Sequence, residues 1–124
     1  MRNQKKTLRY SFRLYVLCDG KRVLGKGGAQ ILNAVDRLGS LSAAAKDLRM
    51  SYRFVWRYVR RMEDRLGEPV VITRRGGTRH GRRKGGGGAE LTPDARALLK
   101  DYREMEERLQ KEISPTKHKA PSLR

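Results

Sequence analysis

The sequence has little of several features that would place it in common protein classes. It holds a single cysteine, Cys18, so no internal disulfide can form, and the two histidines, His80 and His118, lie too far apart to suggest a zinc site. No apolar run approaches the ~18 residues that a membrane helix needs. The basic start of the chain is followed by no apolar segment of signal-peptide type. We therefore expect a soluble cytoplasmic protein without metal or other cofactor.

Acidic residues are also scarce. The chain has 30 Lys+Arg against 13 Asp+Glu, and the resulting net charge of +17 indicates a polyanionic partner. A length of 124 residues indicates a single domain. The charge is uneven: residues 27–48 balance, and 92–113 carry six acids and five bases. Residues 1–26 hold eight basic residues and one acid, residues 49–66 hold six arginines and two acids, and residues 69–88 hold six basic residues and no acid. Two adjacent basic clusters indicate a binding surface.

Glycine-rich segments raise the possibility of a phosphate-binding enzyme, but their context argues against it. The long glycine run leads into Ala89 without the Lys-Ser/Thr pair of a P-loop, and residues 25–28 lack the spacing of a dinucleotide fingerprint. No Ser-His-Asp set or metal-ligand cluster is visible. We expect no enzymatic activity.

The first part of the chain predicts a β-hairpin. Residues 8–18 alternate between apolar and polar, the pattern of a strand with one buried face. The Asp-Gly pair at 19–20 predicts a two-residue turn that would pair Val16 with Val23. Glycines in the segment 25–28 are expected to end the sheet.

Three helices are predicted next. The first begins at Ala29 and ends at Gly39, the second is short, alanine-rich and capped by Ser42, and the third begins after Ser51 and ends at Gly67. The apolar stripe of the third helix consists of Val55, Val59, Met62 and Leu66.

Two short strands, at 70–72 and 89–91, flank a basic loop that contains seven of the 13 glycines. Thr92 and Pro93 then predict the start of a final helix. Its apolar stripe consists of Leu98, Tyr102, Met105, Leu109 and Ile113. The stripe is longer than a short chain can cover, which suggests a dimer interface. The alternative is packing within the monomer, which we expect for the first half of the helix.

This order of elements predicts a mainly α fold with small β-hairpins, namely a winged helix-turn-helix preceded by an N-terminal β-hairpin. We expect a basic N-terminal arm at 1–7, a DNA-binding and dimerisation domain at 8–113, and a disordered tail at 114–124.

The fold predicts which residues bind double-stranded DNA. The third helix would enter the major groove, where arginine suits the paired acceptors of guanine. The second helix and the wing, which is the basic loop between the strands at 70–72 and 89–91, would contact phosphates. The base-reading candidates are Ser51, Tyr52, Arg53 and Arg57. The phosphate candidates are Arg60 and Arg61 on the same helix, Ser40 and Ser42 on the second helix, and Arg74, Arg75, Arg79, Arg82, Arg83 and Lys84 in the wing.

Phe54 and Trp56 have two interpretations. They could be stacking platforms for unpaired bases, or they could pack against the apolar stripe of their own helix. A single tryptophan beside such a stripe more often packs, and we expect packing. For Cys18 we expect a small buried strand residue, and for His80 a solvated loop residue.

The segment GSLSAAAKDLRMSYRFVWRYVRRMEDRLGEPVV, followed by a glycine-rich loop and GGGGAELTPDARALL, resembles the DNA-binding domain of the ModE family of molybdate-responsive transcriptional regulators. LysR-type regulators resemble it more distantly through the Ala-rich helix and the run at 63–67. The resemblance implies a homodimer that reads a palindromic operator. ModE proteins continue into a molybdate-binding module, for which a chain ending at Arg124 leaves no room, so we expect no oxyanion sensing of that kind and leave open an unknown effector or separate sensor.

Three functions remain open at this point. The leading one is a sequence-specific, dimeric transcriptional regulator. The second is an architectural, nucleoid-type protein that coats DNA with little sequence preference, since much of the charge lies outside the recognition helix. The third is an RNA-binding or ribosome-associated protein, or an interaction module, which would need residues that stack on single strands and is disfavoured by the aromatic content of 6%.

Overall fold

A computed structural model describes residues 6–74, 87–113 and 118–119. The helices are α1 (Lys26–Leu38), α2 (Leu41–Leu48), α3 (Tyr52–Leu66) and α4 (Pro93–Ile113). The strands are β1 (Thr7–Leu8), β2 (Val16–Cys18), β3 (Lys21–Leu24), β4 (Val71–Thr73), β5 (Ala89–Leu91) and β6 (His118–Lys119). They pair antiparallel as β1–β6, β2–β3 and β4–β5. The predicted fold class, a winged helix-turn-helix preceded by a β-hairpin, is confirmed.

The β2–β3 hairpin has the predicted turn but a different register. Asp19 and Gly20 both adopt positive φ, at 51° and 81°, as an Asp-Gly hairpin turn requires. Val16 pairs with Leu24 instead of the predicted Val23, because the register shifts by one residue between Val16 and Leu17. Such a bulge breaks the strict alternation of side chains, and Val23 and Leu24 are accordingly both buried.

The predicted long strand over 8–18 is wrong in extent, since residues 9–15 have no strand pairing. Alternation alone could not show this, because β3 is only four residues long and offers no neighbour to the earlier segment. The burial pattern nevertheless alternates from 12 to 18, with Cys18 half-buried and packed against the core. Leu8 and Tyr10, predicted on the buried face, are exposed.

Helix α1 begins at Lys26, earlier than the predicted Ala29, so the glycines after Gly25 start a helix as well as ending the sheet. Close packing explains them. A Cβ at Gly28 would lie 2.7 Å from Leu24 Cβ and 2.9 Å from Tyr58 Cε1, so only glycine lets α1 approach both neighbours.

The helix ends follow local chemistry. Gly39 and Gly67 end α1 and α3 in the left-handed conformation, as predicted. Ser51 caps α3, also as predicted, by accepting from the Phe54 N–H at 3.0 Å. The predicted cap of α2 is wrong by two residues: Ser40 accepts from the Ala43 N–H at 3.0 Å, and Ser42 lies inside the first turn.

The core lies where α1, α2 and α3 meet, with β3, β5 and α4 packed around α1. Its largest fully buried side chains are Leu24, Ile31, Leu32, Val35, Val55, Met62, Val70 and Leu91. The predicted stripe of α3 is confirmed for Val55, Val59 and Met62, while Leu66 is half-buried. The core therefore fixes which face of α3 is left to solvent.

The two ends of the chain meet in part. Thr7 pairs with Lys119 and Leu8 pairs with His118. Residues 1–5, 114–117 and 120–124 lie outside the described residues, so the predicted arm and disordered tail stay predictions. Over the described ranges, no helix has both the length and the apolar character required to cross a membrane.

Candidate nucleic-acid interface

Three elements of the fold border one shallow groove of about 450 Å³. They are the amino terminus of α2, the first turns of α3 and the base of the β4–β5 wing. The groove brings together residues that the sequence places far apart, namely Ser40, Leu41, Ser42, Tyr52, Trp56, Thr73, Arg74, Gly87, Gly88 and Ala89. Four of these are predicted DNA-binding residues: Ser40, Ser42, Tyr52 and Arg74.

Two of the predicted serines use their oxygens locally. Ser40 and Ser51 each cap a helix by accepting a backbone N–H, which leaves the hydroxyl proton of each free to be donated outward. Ser42 is exposed in the first turn of α2. Hydroxyl groups at a helix amino terminus, where the dipole is positive, suit a phosphate oxygen.

The solvent face of α3 carries four of the predicted arginines, all exposed: Arg53, Arg57, Arg60 and Arg61. Within the described residues, none of these four side chains forms an ion pair with an acid. The Arg60 guanidinium lies 5.1 Å over the Trp56 ring, and that of Arg61 lies 5.4 Å over the Tyr58 ring. This face can therefore offer its full positive charge to a polyanion.

The predicted packing of Phe54 and Trp56 against the apolar stripe of α3 is wrong. Trp56 is 42% exposed and Phe54 is 47% exposed, so neither belongs to the core. Phe54 meets Tyr58 edge-on, with ring centroids 6.0 Å apart. Trp56 instead lines the groove beside Tyr52, which is 52% exposed. The helical spacing placed Trp56 beside the apolar stripe, but Val55 and Val59 already fill the space against the core.

The base of the wing is held from both sides. On one strand, the Glu63 carboxylate accepts from the backbone N–H groups of Val70 and Val71, at 2.9 and 3.3 Å. On the other, the Ala89 N–H donates to the Gly39 carbonyl at 2.8 Å. The wing is thus attached to α3 and to the turn before α2. Sequence reasoning missed Glu63, because a carboxylate seven and eight residues from its two partners gives no local signal.

Of the predicted wing contacts, Arg74 is the one within the described residues. It forms an exposed ion pair with Glu90 at 3.2 Å, and such a pair contributes little to stability and leaves the guanidinium near solvent. The remaining predicted wing residues lie outside the described residues. They are Arg75, Arg79, Arg82, Arg83 and Lys84, together with His80.

The predicted dimer stripe on α4 divides into two parts. Tyr102 is only 3% exposed and donates its hydroxyl proton to the Leu14 carbonyl at 3.3 Å, so it packs within the same chain. Leu99, which the predicted stripe omits, is buried beside it. Met105 is 43% exposed, and Leu109 is half-buried. Leu98 and Ile113 are half-buried as well.

Metal-ligating side chains do not cluster within the described parts of the chain: no three of the His, Cys, Asp or Glu side chains there come close enough to hold an ion.

Comparison with known proteins agrees with this geometry. A family model described as bacterial regulatory helix-turn-helix protein, lysR family, matches residues 28–96, more than half of the chain. The chain is 37% identical to the molybdenum-pterin-binding protein MopB of Rhodobacter capsulatus over 73% of its length. It is 31% identical to the molybdenum transport protein ModE of Azotobacter vinelandii over 79% of its length. These alignments cover 32% and 34% of the two relatives, so the chain spans about a third of their length.

Solved structures show the same fold. The CbnR DNA-binding domain in complex with DNA aligns with a TM-score of 0.51 at 27% identity, over 69% of this chain and 86% of that chain. Full-length CbnR complexed with its target DNA also aligns with a TM-score of 0.51, over 26% of its length. In both cases the similar part covers 69% of this chain.

Proposed function

The chain belongs to the lysR family of bacterial regulatory helix-turn-helix proteins, and on this premise we propose that it is a sequence-specific transcriptional regulator that binds double-stranded DNA as a homodimer. Its place of action is the nucleoid, in the cytoplasm. The activities named for MopB and ModE belong to proteins about three times as long and are not assigned to this chain.

One observation carries the proposal. The amino terminus of α2, the exposed face of α3 and the base of the wing border a single groove, and the arginines of α3 beside it have no acidic partner within the described residues. A helix of this kind fits the major groove, where arginine recognises guanine, and the flanking groups suit the phosphates on either side.

The homodimer rests on α4. Its first half is covered by the chain's own core through Ala95, Leu99 and Tyr102. Further along, Met105 is exposed and Leu109 is half-buried, so the second half retains apolar surface that a second copy can cover. Two copies related by a twofold axis would present two α3 helices to a palindromic site.

Selection from random duplex DNA tests the function. The regulator is expected to enrich an inverted repeat whose half-sites lie about one helical turn, or a multiple of it, apart. An unenriched pool that still binds tightly at low salt would contradict the proposal and favour the architectural alternative. Enrichment of a single half-site would retain sequence specificity and contradict the homodimer.

A further inference from the structure

Arginine and serine account for charge and phosphate contact, but they leave the two exposed aromatic rings in the groove without a role. Tyr52 and Trp56 lie four residues apart on α3 and therefore on one face. Both rings line the groove, and both are about half exposed in a strongly basic protein. Large apolar rings side by side on a solvent face indicate a contact surface.

The position of the rings restricts what they can contact. Ser40 and Ser42 at the start of α2 and Arg74 at the wing base line the same groove as the rings. These groups suit phosphates, and the two phosphate backbones of a duplex border the base edges of a groove. A duplex held at its phosphates by these groups would bring base edges to the rings.

The base edges of the major groove carry one apolar group that distinguishes sequence, the C5-methyl of thymine. An aromatic ring can bury this methyl group, whereas a single Tyr or Trp side chain cannot form the paired hydrogen bonds by which guanine and adenine are read. The Arg60 guanidinium lies 5.1 Å over the Trp56 ring, so it occupies one face and orients the ring, leaving the opposite face and the edge for the DNA.

We propose that Tyr52 and Trp56 are specificity-determining residues that read thymine methyl groups, so that each half-site contains thymine beside the bases read by Arg53 and Arg57. The inference rests on the proposed function and deepens it. It separates α3 into an aromatic edge that reads methyl groups and a basic edge that reads guanine and phosphate.

The test uses the full chain and the half-site obtained by random-duplex selection. Each thymine is replaced in turn by deoxyuridine, which removes only the methyl group, and affinity is measured by fluorescence anisotropy at fixed salt. At one or two positions we expect a loss of about fourfold, the effect of exposing one buried carbon. A half-site without thymine, or one in which no deoxyuridine costs as much as twofold, would overturn the inference.

The Trp56→Ala variant assigns the effect to a side chain. It should bind the thymine and deoxyuridine half-sites equally well at the position that Trp56 reads, since the methyl group has lost its partner. Phe54→Ala is the matched control, because it removes an exposed ring from the same helix that does not line the groove; it should keep the full effect of deoxyuridine. Undiminished sensitivity in Trp56→Ala and Tyr52→Ala would also overturn the inference.

The two proposals fail differently. A selection that enriches no sequence overturns both. A selection that enriches an inverted repeat insensitive to deoxyuridine overturns the reading of methyl groups and leaves the regulator in place. The deoxyuridine series uses the unaltered protein, so it decides the inference even if a variant folds poorly.

Discussion

At the scale of single residues, the arginines of α3 differ in what they are expected to do. Arg53 lies in the first turn, near the part of a recognition helix that reaches base edges, whereas Arg61 lies two turns later and stacks over Tyr58. The sequence alone predicted both roles from position along the helix. The structure adds that each side chain is exposed.

We expect Arg53→Ala to reduce discrimination at one base pair by about 1–3 kcal/mol, because a bidentate contact to guanine is lost. The measurement is affinity for the selected site and for each single-base variant of it. Arg61→Ala is the comparison, and it should weaken binding to all duplexes alike and reduce the salt dependence. Equal losses on selected and random DNA for Arg53→Ala would contradict its assignment to base reading.

Tyr102 links α4 to the irregular segment before β2 through its hydrogen bond to the Leu14 carbonyl. Tyr102→Phe removes this bond and should lower the free energy of unfolding by about 1 kcal/mol at neutral pH. Urea unfolding measures the loss. Tyr52→Phe, at an exposed ring, should leave the stability unchanged.

The same residue predicts a pH dependence. Burial, and then the nearby Glu106 carboxylate, raise the pKa of Tyr102 above its ordinary value of 10.0. The unfolded chain therefore loses this proton first, so the stability is present below about pH 10 and is lost as pH rises through the higher folded-state pKa. The stability of wild type should fall toward that of Tyr102→Phe as the pH rises above the ordinary tyrosine pKa of 10.0. Parallel curves for the two proteins would contradict this.

At the scale of elements, the position of the wing depends on a side chain of α3. Glu63 accepts two backbone N–H groups at the start of β4. Glu63→Ala should lower the free energy of unfolding by about 2 kcal/mol, since two part-buried donors lose a charged acceptor. Affinity for DNA should fall as well, because the wing loses its attachment to the recognition helix.

Glu63→Gln is the matched variant, because it keeps a carbonyl oxygen as acceptor and removes the charge. It should retain more stability than Glu63→Ala in thermal unfolding. If both variants unfold at the wild-type temperature, the carboxylate does not hold β4 in place.

The element ends that could be predicted from sequence are those set by one residue. Gly39 and Gly67 end helices because left-handed backbone favours glycine, and Ser51 and Thr92 begin them by accepting N–H groups. Where two candidates lie close together, as Ser40 and Ser42 do, the choice depends on backbone geometry that the sequence does not reveal.

Features that depend on distant packing could not be predicted. The bulge opposite Val16 follows from burying two consecutive residues of β3, and the early start of α1 follows from close contact with Tyr58. In the candidate site, the order of elements predicted where the arginines lie. It did not predict that Trp56 faces the groove, because helical periodicity assigns a face but not its neighbour.

At the scale of the whole molecule, charge and oligomeric state are connected. A dimer doubles the number of phosphates that can be neutralised, so the affinity for a palindromic site should fall more steeply with salt than the affinity for a half-site. This difference in salt dependence requires that α4 join two copies of the chain.

We expect Leu109→Lys to shift the protein toward a monomer in sedimentation velocity, because a charge would be buried in the interface. Glu107→Gln changes the net charge by the same amount at an exposed neighbour on α4 and should leave the association unchanged. A Leu109→Lys protein that sediments as the wild type would remove the second half of α4 from the interface.

The hydrogen bond between Ala89 and Gly39 has a mechanical consequence. It joins the base of the wing to the turn that leads into Ser40, while Glu63 joins the opposite strand to α3. The base of the wing, α2 and α3 are therefore held at a fixed spacing from one another. A duplex whose grooves do not match that spacing has to deform, and the energy of the deformation lets the protein discriminate among sequences that it never touches.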